Sequence, residues 1–193
     1  GAEVRRRAPD DLMAQMSLVF QDVSLFKASL LDNIRMARPD ATGEEVVAAA
    51  KAAQADEFIR ALPQGYETVY GSDGVHLSGG EKQRVSIARA ILADRPVVVL
   101  DEATAFADPE NEHLIQKAFA ELMAGKTVVM IAHRLSTVVG ADQILVIDDG
   151  RIMERGRHED LLAAKGAYAR LWNLYTRAVT WKVSSARKEA LDA

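Results

Sequence analysis

Four consecutive apolar residues, Val97-Val98-Val99-Leu100, run straight into two carboxylates, Asp101 and Glu102. An uninterrupted, β-branched run of this length is the pattern of a short strand buried on both faces. Such a strand needs helices above and below it, so the run predicts an α/β layered fold with a parallel sheet. In these sheets ligands bind beyond the C-terminal ends of the strands. The two carboxylates stand at that end.

The rest of the chain supplies the alternation this fold needs. Gln15–Phe20 reads as a short strand leading into a loop at Gln21-Asp22. Glu44–Ala53 is helical, with Val46, Val47, Ala50 and Ala53 on one face. The glycine-rich stretch from Gly65 to Gly80 reads as a loop. Glu81–Ala93 is a helix with Val85, Ala88, Ile91 and Leu92 facing in, where Lys82 and Arg89 can face out; Pro96 stops it. Asp108-Pro109 caps the next helix, which Gly125 ends. Thr127–Ala132 is a second buried strand and Gln143–Ile147 a third. Asp149-Gly150 turns the third into Arg151–Glu154 as a hairpin. Helices at His158–Ala163 and Ala167–Thr176 follow, and the residues from about Ser184 read as frayed and polar.

Composition removes several classes. The 193 residues contain no cysteine, which excludes a disulfide framework and thiolate metal sites. No apolar run approaches the length of a membrane span, and no signal peptide opens the chain. With 28 acidic against 24 basic residues the net charge is −4, which argues against a nucleic-acid partner. Arg5-Arg6-Arg7 reads as solvated surface. The chain starts at Gly1 rather than Met, which implies a processed or truncated piece.

Four local patterns carry chemistry. Asp101 can hold Mg²⁺ through water, and Glu102 can orient or deprotonate an attacking water; a plain solvated strand end fits these residues too. Leu77-Ser78-Gly79-Gly80-Glu81 leads directly into a helix, so Ser78 can cap it and the two glycines expose backbone N–H groups to an anion. Alone, that is equally an ordinary capped helix. His133 and Gln21 each follow a strand end, where they can reach a phosphate or a carboxylate or serve only as loop residues. His76, His113 and His158 have no metal-ligand spacing and read as surface or structural.

Taken together and in order, these patterns resemble the nucleotide-binding domain of ATP-binding-cassette transporters. Gln21 matches the Q-loop, Leu77–Glu81 the signature motif, Val97–Asp101 the Walker B strand, Glu102 the catalytic glutamate, Asp108 the D-loop and His133 the switch histidine. The resemblance runs from about Met16 to Trp172. Phe20-Gln21-Asp22 with Leu25-Phe26, Asp32-Asn33-Ile34, Leu62–Tyr66 and Ile131–Thr137 are similar to the exporter branch.

The resemblance implies a P-loop-NTPase-like α/β core, incomplete at the N-terminus. It implies a helical signature subdomain over about 23–93, core sheet and C-terminal helices over about 94–178, and a tail over 179–193. It also implies ATP and Mg²⁺ as cofactors. Glu102 and His133 would be catalytic, Gln21, Ser78, Gly79, Gly80, Glu81, Asp101 and Asp108 would bind nucleotide, and Asp101 and Gln21 would serve the metal through water. The partners would be a second nucleotide-binding domain and the coupling helices of transmembrane domains, at the cytoplasmic face of a membrane.

The sequence departs from the family pattern in places. Glu81 stands where glutamine is commoner, and Ala105-Phe106-Ala107 replaces the usual Ser-Ala-Leu before Asp108. The chain contains no G-x-x-x-x-G-K-[ST] motif. Gly125-Lys126-Thr127 is a decoy, because position 120 is Ala and a helix precedes it where a strand should. Two rivals stand beside the exporter reading: a soluble ATPase of the same superfamily, and a catalytically dead interaction module. The resemblance further implies that the strand leading into the missing P-loop lies beside Val97–Leu100. On that expectation this strand lacks a ladder partner, and the isolated chain is unstable.

Overall fold

The structure is a computed structural model that describes residues 3–71, 75–101, 109–132 and 135–189, without the side chains of 109–111 and 179–189. Glu102, Asp108 and His133 lie outside the described residues. The chain divides into two compact units, Gly1–Ile131 and Ala132–Ala193.

The first unit begins with α1 (Pro9–Met13) and β1 (Met16–Val19). Three helices follow: α2 (Leu30–Arg35), α3 (Gly43–Ala52) and α4 (Asp56–Ala61). Then come α5 (Gly79–Ala93), β2 (Val97–Asp101), α6 (Pro109–Met123) and β3 (Thr127–Ile131). The helix starts are written in short polar signals. Ser29 caps α2 by accepting from the Asp32 N–H at 3.0 Å. Thr42 and Glu45 close a capping box on α3. Asp94 ends α5 in the left-handed conformation, φ 47°, and the chain turns at once into β2.

The three strands form one parallel sheet in the order β1-β2-β3. The predicted parallel α/β core is therefore present. Two expectations about it need correction. First, β2 is the central strand: Val97–Leu100 pairs with Met16–Val19 on one side and with Thr127–Met130 on the other. The strand expected to lack a partner has two, and the outer edges of β1 and β3 are the ones that pair with no further strand among the described residues. Second, burial is one-sided. Val98 and Leu100 are buried while Val97 and Val99 are only half-buried. On β3, expected as a buried strand, Val129 and Ile131 are about half exposed, at 50% and 52%. Val98 and Leu100 enter a core with Val85, Ile87, Ile115 and Leu122 of α5 and α6. An apolar run shows that both faces avoid water, not which face the described helices cover.

The second unit is built on a hairpin. The third predicted strand, Gln143–Ile147, and its hairpin into Arg151–Glu154 are both present. The strand is β4 (Ile144–Asp148), paired antiparallel with β5 (Arg151–Gly156) in a separate two-stranded sheet. The Asp149-Gly150 turn is as expected, with φ 45° at Asp149, a left-handed value that Asp tolerates, and 70° at Gly150, which glycine adopts without strain. Next come α7 (His158–Ala163) and α8 (Ala167–Glu189). The last helix runs through the region expected to fray, and nothing in 167–189 breaks it: the segment holds neither proline nor glycine.

The start of α8 depends on a carboxylate. Glu154 on β5 accepts from the backbone N–H of Ala167 at 2.5 Å and of Tyr168 at 3.0 Å. Gly166 makes this approach feasible, because a Cβ there would collide with the Glu154 carboxylate. The Tyr168 and Ala167 amides hold the Glu154 carboxyl below its usual value. A depressed folded-state pKa contributes stability above the unfolded value of about 4.3 and loses it as pH falls through the folded value. Trp172 sits one turn into α8, its ring 4.6 Å from that of His158. The urea midpoint followed by Trp fluorescence should therefore fall below about pH 4 in the wild-type chain. Glu154→Gln should lower the midpoint at pH 7 and flatten this acid dependence; equal acid dependence in the two proteins would remove Glu154 from the role.

Candidate functional site

The parallel register sets what gathers at the C-terminal edge of the sheet. Val19 stands beside Leu100, and Asp101 beside Ile131. The chain after β1 therefore carries exposed Gln21 past the same edge at which Asp101 ends β2. Asp101 is half-buried. Glu102 follows it in sequence, and His133 comes two residues after β3 ends; both lie outside the described residues, as does Asp108.

Gln21 and Asp101 offer an amide oxygen and a carboxylate. These are hard oxygen donors, few in number and open to water, which is the donor set Mg²⁺ takes when a phosphate completes its shell. The residues fit that ion.

The second cluster is the N-terminus of α5. Ser78 Oγ accepts from the Glu81 N–H at 3.2 Å, and Glu81 Oε2 accepts from the Ser78 N–H at 2.7 Å. The capping box is complete. Ser78 and Gly79 are exposed and Gly80 is buried. The cap takes up the Ser78 and Glu81 N–H groups, and the exposed Gly79 backbone stands beside it at the positive end of the dipole of a 15-residue helix. That arrangement receives an anion. Glu81 contributes a negative charge to the same turn, tied to the cap rather than aimed outward. Among the described residues no hydrogen bond joins the Ser78 turn to Gln21 or Asp101. The structure thus gathers Gln21 with Asp101 at the sheet edge, and Ser78 to Glu81 at a helix end.

Lys126 lies in the turn between α6 and β3. Its side chain is 14% exposed and its ammonium pairs with Asp94 at 2.9 Å. The decoy lysine pins the end of α5 to the start of β3, which is a structural job.

Sequence reading missed one network and misplaced its central residue. Arg89, expected to face out, is turned in. Its guanidinium donates to the Asn33 carbonyl at 2.6 Å, to Asn33 Oδ1 at 2.5 Å and to the Ser24 carbonyl at 3.0 Å. The signal was present: Arg89 is four residues after Val85, on the apolar side of the helix. Asn33, fully buried inside α2, was quoted only as part of a motif.

With this geometry established, comparison with known proteins is direct. The sequence model of the family described as ABC transporter matches residues 1–105. The chain is 52% identical over 173 residues to the mycobactin import ATP-binding/permease protein IrtA of Mycobacterium tuberculosis, covering 90% of this chain and 20% of that protein. It is 49% identical over 174 residues to the ATP-dependent lipid A-core flippase of Legionella pneumophila, covering 90% of this chain and 30% of the flippase. It is 51% identical over 172 residues to heavy metal tolerance factor 1 of Caenorhabditis elegans, covering 89% of this chain and 22% of that protein. The chain therefore spans a fifth to a third of the length of these relatives. The motifs, the parallel core and these matches agree: the chain belongs to the ABC transporter family, as part of its ATP-binding domain.

Proposed function

We propose that this chain is the signature-bearing portion of an ATP-hydrolysing domain that drives transport across a membrane from its cytoplasmic face. The observation that carries the reading is the α5 N-terminus, where a complete capping box takes up the Ser78 and Glu81 N–H groups and leaves the exposed Gly79 backbone at the positive end of the helix dipole. A γ-phosphate fits such an end. The names of the relatives, ATP-binding/permease protein and ATP-dependent flippase, support coupling to transmembrane domains. They weigh against a soluble ATPase.

In this reading two domains meet head to tail. Ser78, Gly79 and Gly80 of one contact the ATP held by the P-loop of the other. Asp101 and Gln21 hold Mg²⁺ through water, and the ion offsets charge on the transferring phosphoryl group. Glu102 orients and deprotonates the attacking water. His133 hydrogen-bonds the γ-phosphate, and Asp108 faces the partner domain. Coupling helices of the transmembrane domains dock on the segment after Gln21. The cargo is not written here. Three relatives named for mycobactin import, lipid A-core and heavy metal tolerance match this chain at 52%, 49% and 51% identity, so near-equal likeness accompanies unlike names.

Two expectations test the reading. Phosphate contacts in this family come mostly from P-loop amides and its lysine. The 193-residue chain should therefore show no ATP binding in the micromolar range by calorimetry. Lys126→Ala should leave that result unchanged while lowering the melting temperature, through loss of the Asp94 pair. Micromolar affinity in the isolated chain, or its loss on Lys126→Ala, would contradict the assignment of the decoy.

In a longer protein that carries this domain with a P-loop, Glu102→Gln should keep ATP binding and lower turnover by about 10²-fold or more, the usual cost of losing a general base. Turnover within about threefold of wild type, only ~0.7 kcal/mol in barrier, would take Glu102 out of the chemistry.

A further inference from the structure

Arg89 is half-buried on α5. It lies one turn after buried Val85, between Ala88 and Ala90, on the side of α5 that enters the core. Burying a cation costs desolvation that is recovered only through well-placed partners. Among the described residues Arg89 pairs with no carboxylate; its three acceptors are neutral oxygens, two on Asn33 and one on Ser24. These partners lie 56 and 65 residues away in sequence.

Asn33 carries the grip onward. Its Oδ1 accepts from the Phe26 N–H at 2.9 Å. Its Nδ2 donates to the carbonyls of Phe26 at 3.0 Å, Ala28 at 3.2 Å and Ser29 at 3.0 Å. The Phe26 ring lies 5.7 Å from the guanidinium carbon and is itself 55% exposed. Two side chains thus hold the whole Ser24–Asn33 turn by its backbone, and the planar fork of arginine fixes direction as well as distance. Gln21 is three residues upstream of Ser24, so the same grip limits its position to within roughly 10 Å of chain.

We infer that Arg89 is a positioning residue that makes the Ser24–Asn33 turn, with its exposed Phe26, a rigid extension of α5, so that a displacement of the Ser78 end of that helix is delivered to Phe26. The coupling half of this inference rests on the reading of Ser78 as a nucleotide contact; the clamp itself does not.

The clamp is tested on the 193-residue chain by amide hydrogen exchange in wild type, Arg89→Ala and Arg89→Lys. In Arg89→Ala the Phe26 amide should exchange about tenfold faster or more, while Val85 and Leu100 stay within about twofold. Lysine keeps the charge but lacks the fork, so Arg89→Lys should fall between. Unchanged Phe26 exchange, or acceleration spread evenly over α5 and β2, would overturn the clamp. The coupling is tested on a longer protein carrying a P-loop. There Arg89→Lys should lower kcat for ATP at least about fivefold with KM within about twofold, because no nucleotide contact is touched. An unchanged kcat, or a KM that rises in step with the fall in kcat/KM, would overturn it. A wild-type protein without ATPase activity would refute the nucleotide reading, and the Phe26 exchange result would still decide the clamp.

Discussion

The parallel pairing of β2 with both β1 and β3 is the constraint from which the rest of the first unit follows. It fixes Asp101 in register with Ile131 and brings the chain after Val19 past the same edge. Parallel strands cannot be joined by tight turns, so each crossover must carry a helix. The crossover from β1 to β2 contains α2 to α5, and it ends in the turn at Asp94. That route places a capped helix N-terminus, Ser78, in the same unit as a metal-suited strand end without joining the two.

Electrostatics at the α5 terminus show how local and functional demands meet. A carboxylate at the third helical position stabilises the helix by accepting from the Ser78 N–H and by lying at the positive end of the dipole. The same charge opposes an incoming phosphate. In this chain the Glu81 carboxylate is bonded into the cap, and in the proposed reading the exposed Gly79 backbone faces the phosphate. The Arg89 network answers a different need at the far side of the helix, converting charge into direction through neutral acceptors.

Much of this was legible in sequence because it is local. The strand runs, the Asp149-Gly150 turn, the capping serine and the ordered motifs each rest on a few neighbouring residues. What was not legible depends on who lies next to whom. The Val97–Leu100 pattern predicted two buried faces, yet the described helices cover one. The partner assignment of β2 failed because pairing order is not encoded in any single strand. Arg89 was read as solvent-facing because a long cation usually is; only the distant Asn33 and Ser24 oxygens explain its direction.

The central claim is that the α5 N-terminus holds the terminal phosphate of an ATP bound by a partner domain. It is tested most directly by the nitrogen–phosphorus dipolar coupling between ¹⁵N-labelled Gly79 and the γ-phosphorus, measured by solid-state NMR in a longer protein carrying Glu102→Gln and trapped with ATP. An N–H···O contact of ordinary length puts the two nuclei roughly 4 Å apart. The account predicts a coupling of that range, carried by mixed dimers in which the labelled domain lacks its own working P-loop. A trapped, ATP-loaded dimer with no measurable coupling to Gly79 would contradict it.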